Sequence, residues 1–391
     1  MALAQTGKSS QKKPQAQWAV VGAGLIGILL VGLASAMHGG SRLFWVTLIG
    51  GIAGVSLYHA SFGFTGAWRR AIEERRGAGL RAQFLLLFSV CVVSYPLLEY
   101  GNYIGLGTSG FVFPFGVAAA FGAFMFGVGM QIAGGCASGT LFTVGGGSTR
   151  MIITLTFFIV GSVLATAHLP AWSDLPALPA ISLVEVLGAA WALILTTLLL
   201  AALTLVSVLR ERRHHGFLED DPRDLSLLRG PWSKSFGAGM LAFVCIATFI
   251  IVGRPWGVTS GFALWGAKLF YALGVPIDTW SYWQHQMGAV NSSIFQDTTS
   301  VMNFSIMLGA LVASGLAGLF APVYRLSAKE VTSAIIGGLL LGYGARLAFG
   351  CNIGAFLGGV TSGSIHGWLW LVFAFSGAWV VSRSRLLSYL R

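Results

Sequence analysis

One apolar stretch that the chain contains twice constrains any fold it can adopt. Residues 122–141 read GAFMFGVGMQIAGGCASGTL and residues 337–356 read GGLLLGYGARLAFGCNIGAF. Aligning Cys136 with Cys351, an offset of 215, also aligns Gly122 with Gly337, Gly127 with Gly342 and Gly129 with Gly344. The same offset pairs Ala133 with Ala348, Gly135 with Gly350 and Gly139 with Gly354. In each copy a glycine-rich apolar helix runs into a Gly-Cys pair and then into another run of small residues. A cysteine duplicated at a helix break is what any function has to explain.

The setting is a membrane. Of 391 residues, 55% are hydrophobic and 9% are charged, and the mean hydropathy is +0.77; soluble domains carry about 25% charged residues. Fifty-four glycines point to close helix packing and interrupted helices rather than uniform apolar rods. Four cysteines, widely separated and never in a CxxC pair, argue against a zinc site or a disulfide framework. The formal charge of +11 does not indicate nucleic acid. Lys and Arg gather in the N-terminal tail, at 69–81, at 210–234 and at the C-terminus, beside apolar spans, where positive charge sets orientation.

Hydropathy predicts an all-α polytopic protein of about ten transmembrane helices with both termini cytoplasmic. A polar tail, 1–17, carries Lys8, Lys12 and Lys13. The first transmembrane half covers 18–209, a basic cytoplasmic linker 210–234, and the second half 235–391. Spans are expected at 18–37, 43–58, 82–98, 150–168 and 181–209, with a full helix and a re-entrant piece before Thr149. In the second half they are expected at 235–253, 298–324, 331–350 and 367–381. The second half looks like a shortened copy of the first, lacking its opening span, so that the first repeat is about 43–168. Residues 62–68 (FGFTGAW) are echoed by 257–262 (GVTSGF), at an offset of 194 between Gly63 and Gly257.

Loop charge gives the relative direction of the copies. The loop after FGFTGAW is strongly basic, whereas its counterpart at 273–300 has Asp278 and Asp297 and no Lys or Arg. The loop before the first glycine helix is uncharged, whereas its counterpart carries Arg325 and Lys329. Equivalent loops therefore fall on opposite sides, which predicts two inverted repeats with re-entrant or broken helices at the Gly-Cys motifs.

Broken helices are tolerated in lipid only where the freed backbone faces protein or a wet cavity. Two inverted breaks are therefore expected to meet near the midplane, where half-helix N-termini with their partial positive charge suit an anion. The candidate substrate-binding residues are Cys136, Cys351, Gly135, Gly350, Ser138 and Asn352, with Thr140 as a further donor. A single unpaired cysteine is commonly a small packing residue; two at matching positions of an inverted repeat favour function. Cys91 and Cys245 read as packing, with Cys91 retained as a candidate because its helix adjoins the first glycine core. Arg346, where the first copy has Gln131, is open to two readings: an intramembrane functional charge, or a side chain snorkelling to the cytoplasmic surface. Lys268 and Arg150 read as interfacial anchors, and His366 as a hydrogen-bonded structural histidine. No Walker sequence, HExxH, EF-hand loop or Ser/His/Asp spacing occurs, so neither an enzyme nor a cofactor or metal is expected.

The motifs AGGCASGT (133–140) and FGCNIG (349–354), with FGFTGAW and GVTSGF in this order, resemble the YeeE/YedE family of bacterial inner-membrane sulfur transporters, from about residue 43 to 383. The resemblance implies an hourglass-shaped protein, associated in this family with thiosulfate uptake, whose central cysteines guide the anion by S–H hydrogen bonds; Cys136 and Cys351 match them. One departure stands out. The family often has a cysteine in the first motif, in a phrase like FCFTGA, where this chain has Gly63, so an access-side thiol is missing unless Cys91 substitutes.

The expected function is import of thiosulfate or a related small sulfur anion through a central cysteine-lined site, in contact with membrane lipid. A membrane sulfur-relay protein, handing persulfide sulfur to a cytosolic sulfur-carrier protein docked on the basic linker, is the alternative. A structural subunit of a larger complex is a third reading.

Overall fold

The computed structural model describes residues 14–219 and 226–384. The tail lysines Lys8, Lys12 and Lys13, the middle of the basic linker and the last residues lie outside them. Among the described residues, ten helical segments are long and apolar enough to cross a membrane, so the protein is all-α and multi-pass.

The chain begins with α1 (Trp18–Gly39), α2 (Ser41–His59), the short α3 (Phe64–Glu73) and α4 (Ala78–Tyr100). The first duplicated stretch forms α5 (Val117–Ala133) and α6 (Ala137–Gly145), and α7 (Thr149–Ser173) and α8 (Leu183–His215) follow. A two-residue ribbon, Phe115–Gly116 paired with Ala177–Leu178, ties the start of α5 to the loop after α7. Beyond the linker come α9 (Lys234–Val252), α10 (Thr259–Ala272), the short α11 (Ser281–Gln284) and α12 (Met287–Asn291), and α13 (Thr298–Ala317). The second duplicated stretch forms α14 (Ala328–Leu347), a π-helical segment over Asn352–Leu357 and α15 (Gly358–Val360), before the final α16 (Ile365–Arg383).

Glycine decides how these helices meet. Within lipid, apolar side chains gain little by leaving lipid for protein, so association relies on close backbone approach through small residues. A Cβ on Gly122 would lie 2.6 Å from Leu347 and 2.8 Å from the Gly344 carbonyl, and one on Gly129 would lie 2.9 Å from Leu340 and 3.1 Å from the Gly337 carbonyl. α5 and α14 therefore run antiparallel. Under the offset of 215 the contact maps onto itself, since 122 + 215 = 337 and 129 + 215 = 344. A self-exchanging contact of this kind is the mark of a two-fold relation.

Other contacts exchange in the same way. Gly342 backs onto α7 at Phe158 and Ser162, and Gly127 backs onto α16 at Ala374. Gly161 of α7 rests on Leu339, and Gly377 of α16 rests on Phe124. α2 packs on α13 and α9 on α4, while α1 packs on α13 and α8 on α4. α8 thus stands beside α4 as α1 stands beside α13. From sequence the second half has no opening span; by its contacts, the helix before the linker stands to α4 as α1 stands to α13. Hydropathy marks both α1 and α8 as long apolar spans but does not say which half each one packs with.

Inside α8 the chain turns at Gly188 (φ 77°), where the Ala189 N–H donates to the Glu99 carboxylate, so the amide freed by the kink is satisfied. At the other end, buried Glu211 accepts from Arg81 at 2.6 Å, from Arg76 at 3.2 Å and from the Gly77 N–H at 3.0 Å, fastening α8 to the α3–α4 corner. Because a Cβ at Gly127 or Gly342 overlaps a backbone carbonyl across the contact, Gly127→Ala and Gly342→Ala are each expected to cost about 1–3 kcal/mol. The melting temperature in detergent should fall for both. Gly22→Ala in α1, where a Cβ meets nothing within 4 Å, should leave it unchanged.

Candidate functional site

Both duplicated helices break as expected, and the two breaks are built alike. After α5 the backbone turns left-handed at Gly134 (φ 82°), and Cys136 enters extended geometry (φ −85°, ψ −171°) as the N-cap of α6. After α14, Cys351 takes the same geometry (φ −102°, ψ −169°) at the head of the π-helical segment. Cys136 Sγ accepts the Gly139 N–H at 3.4 Å, as a capping side chain does. Cys351 holds the equivalent N-cap position, without a side-chain cap hydrogen bond. α6 packs against the π-helical segment, and the two cysteines lie close enough to interact electrostatically. Both thiols are buried and free.

The carbonyls released where each helix stops are met by long side chains. Arg69 donates to the Gln131 side chain and to the Gln131 carbonyl, both at 2.9 Å. Arg150 donates to the Ile132 carbonyl at 3.1 Å and to Ser333 at 2.9 Å. Two cations thus sit at the negative end of α5. Arg150, read from sequence as an interfacial anchor, is instead a cap of the broken helix. At the second break the capping group is His366, whose Nε2 lies 3.2 Å from the Ala348 carbonyl; it is the structural histidine expected.

A vestibule opens on each side of this septum. The first, of about 380 Å³, is lined by Gly63, Thr65, Gly134, Gly135, Cys136 and Gly139, with Arg70, Arg76 and Lys234 on its walls. The second, of about 530 Å³, is lined by Phe113, Gly257, Thr259, Phe349, Gly350 and Gly354, with Arg254 and Arg346. They lie at opposite ends of the same helices. The C-terminal end of α5 and the start of α9 (Lys234) border the first, while the start of α5 (Ala118, Ala119) and the chain just past α9 (Arg254) border the second.

The septum holds polar groups without protein partners. Asn352 is 0% exposed, yet neither its Nδ2 nor its Oδ1 has a hydrogen-bond partner. The buried hydroxyl of Thr65, on the wall of the first vestibule, is also unpartnered. A buried amide left unpaired costs roughly 1–3 kcal/mol, so such groups in a native fold call for a ligand or water. Ser138 Oγ lies 3.6 Å from Cys136 Sγ, and Thr140 donates to the Cys136 carbonyl at 2.8 Å, bracing the turn.

The candidate residues do not all come together. Cys136 and Gly135 reach the first vestibule and Gly350 the second, and Cys351 and Asn352 lie in the septum. Cys91 lines neither vestibule: it is buried in α4 with its sulfur 4.0 Å from the Val360 carbonyl, beside Tyr95. It does not take the place of the thiol missing at position 63. Arg346 is half-buried in the second vestibule, donating to the Tyr282 hydroxyl at 2.8 Å. It therefore faces the end opposite the basic loops, not the cytoplasmic surface that the snorkelling reading required. Gly63 likewise opens on the vestibule of Arg70, Arg76 and Lys234.

Some lining residues escaped sequence reasoning. Thr65 and Thr259 hold the same place in the two echoed motifs (65 + 194 = 259), a signal that was available. Arg69, Arg70 and Arg76 read as orientation charge, and Arg254 stood alone. Phe349 had no signal beyond its place in FGCNIG. It adopts a left-handed backbone (φ 60°), rare for a bulky residue, where the first copy has Gly134 (349 − 215 = 134). Its ring stacks on Phe113 with centroids 5.0 Å apart and planes 6° apart, and His366 sits edge-on to both at 5.6 Å. The stack lines the second vestibule, and Phe349 lies two residues before Cys351 in the chain.

Cation-lined vestibules at opposite ends of a multi-pass helical bundle, separated by paired half-helices, define a membrane transport protein. The chain belongs to the sulphur transport family, whose characteristic sequence matches residues 59–380. It is 34% identical over 149 residues to the probable transporter YedE of Escherichia coli, covering 37% of this chain and 35% of that one. It is 29% identical to the thiosulfate transporter TsuA of Spirochaeta thermophila over 67% of this chain and 75% of that protein. To TsuA of Escherichia coli it is 23% identical over 86% of this chain and 92% of that protein. The match to YedE spans only about a third of that relative's length.

The space at Gly63 is testable. A Cβ there meets nothing within 4 Å, and the backbone (φ −115°) suits any residue. Gly63→Cys should accumulate like wild type and be modified by a maleimide supplied from the face of Arg70 and Lys234. Cys245, buried in α9, should stay unmodified under the same conditions.

Proposed function

We propose that this protein imports thiosulfate, or a closely related small sulfur-containing anion, across the bacterial inner membrane through the septum between Cys136 and Cys351. The observation that carries this reading is the septum itself. Two cysteines stand at the heads of half-helices that touch, an unpartnered buried Asn352 lies beside one of them, and each adjoining vestibule is cation-lined. The names of the TsuA relatives point to the same substrate. The self-exchanging α5–α14 contact supports an inverted repeat, because the equivalent glycines of the two helices trade partners in antiparallel register.

The chemistry follows from charge placement. Arg254 and Arg346 at one mouth and Arg70, Arg76 and Lys234 at the other raise the local concentration of an anion. The septum has its cations, Arg69 and Arg150, engaged in capping α5. It offers backbone N–H groups at half-helix N-termini, the Asn352 amide and weakly donating S–H groups. Neutral donors replace part of the hydration of a dianion without holding it as a buried arginine would. That balance, strong enough to admit and weak enough to release, is what conduction needs. Thiosulfate presents sulfonate oxygens for the N–H donors and a polarizable terminal sulfur for the thiols. Positive-inside orientation makes the vestibule of Arg70 and Arg76 cytoplasmic and the Phe349 side external. The Phe113–Phe349 stack then closes the septum toward the outside, leaving Cys136 open to the cytoplasmic vestibule.

Two measurements test this. In a host lacking thiosulfate uptake, expression should restore growth on thiosulfate as the sole sulfur source. Cys136→Ala together with Cys351→Ala should abolish that growth at an unchanged membrane level, and normal growth of the double variant would sink the cysteine role. In intact cells, Phe349→Ala should make Cys351 accessible to a membrane-impermeant thiol reagent added outside. Continued protection of Cys351 would remove the stack as the external closure.

A further inference from the structure

We propose that a groove on the membrane-facing flank, outside the transport path, is a binding site for one anionic phospholipid of the cytoplasmic leaflet. The groove, of about 400 Å³, runs between the α3–α4 corner, α8 and α16. Its walls are apolar, with Phe84, Leu203, Val206 and Phe375 among them, and its floor reaches Phe356 in the segment that follows Cys351. Its mouth is basic, formed by Arg75, Arg76 and Arg210. An apolar cleft under a cationic mouth between transmembrane helices matches an acyl chain below a phosphate headgroup.

The charges at the mouth are available. Glu211 is buried and shared by Arg76 and Arg81, so one carboxylate offsets one of two guanidinium charges. Arg75 and Arg210 are exposed, and neither makes an ion pair or hydrogen bond among the described residues. A second feature points to a ligand. Ser207 lines the groove, and its buried hydroxyl has no partner. It lies against Gly77, the N-cap of the 23-residue α4, which has no side-chain cap of its own. A phosphate at the mouth would take the free arginines and the Ser207 hydroxyl together. A zwitterionic headgroup brings no net negative charge to this net-positive mouth. The groove lies beside the first vestibule, with Arg76 and Gln83 lining both and Trp68 donating to Gln83 at 3.1 Å.

Native mass spectrometry of the full-length protein in detergent with equal amounts of palmitoyl-oleoyl phosphatidylglycerol and phosphatidylcholine tests the proposal independently of the cargo. Wild type should retain one phosphatidylglycerol in preference to phosphatidylcholine. Arg75→Gln with Arg210→Gln should weaken that adduct about thirty-fold, as expected for two interfacial cations. Val206→Trp, which fills the groove and keeps every charge, should weaken it as well, and it carries the test if the double variant fails to fold. Equal retention of the two lipids, or wild-type retention by either variant, would overturn the site. Displacement of the adduct by inorganic phosphate would overturn it too, by making it a site for free anions.

Discussion

An interrupted helix in a membrane must find partners for the backbone groups that it frees, and this structure is arranged around meeting that demand twice. Water is absent from the hydrocarbon core, and each unsatisfied group costs several kcal/mol, of the order expected for unpaired polar burial. At the first break the stranded carbonyls of Gln131 and Ile132 receive Arg69 and Arg150, and at the second the Ala348 carbonyl faces His366. On the N-terminal side of α6 the cap is a cysteine, a weak acceptor compared with the usual serine or aspartate. A weak cap leaves the amides at the head of α6 less fully claimed by the protein, which is what the proposed anion path draws on. Satisfaction is strong behind each break and incomplete in front of it.

The glycines make this local arrangement global. Because α5 and α14 touch through Gly122, Gly129, Gly337 and Gly344, their backbones approach closely in antiparallel register, and the breaks at their ends are held at fixed depth. Gly127 and Gly342 then fix α16 and α7 outside that pair. Any side chain at these positions separates the helices, and the septum moves with them. The link from sequence to function therefore passes through packing. The small residues set how closely the two broken helices approach each other.

Much of this was legible in the sequence, for physical reasons. Spans are read from hydropathy because lipid tolerates so few charges, and the ten candidate spans fall where the apolar runs do. The breaks at Cys136 and Cys351 were legible because glycines crowd a transmembrane helix where backbones cross closely or the helix stops. The long-range partners were not legible. Arg69 looks like its neighbour Arg70, yet it caps a helix that starts 48 residues later (117 − 69). Arg346 looked deep because it follows an apolar run, but its helix ends at the second vestibule, where its guanidinium meets Tyr282. α8 reads as the close of the first half, because the basic linker after it is the obvious boundary, although it packs as the opening helix of the second.

The departures from symmetry carry the mechanism. A perfect inverted repeat would present the same face on both sides and give no reason for one side to be closed. Here the position after the first glycine helix is Gly134, left-handed without strain, and the position after the second is Phe349, left-handed against its own preference. A strained bulky residue persists only where its surroundings hold it, and Phe113 and His366 do so by stacking and edge contact. The same backbone turn thus carries no side chain at one break and an aromatic stack at the other. One bulky residue, at a position that ordinarily takes glycine, makes the two breaks inequivalent.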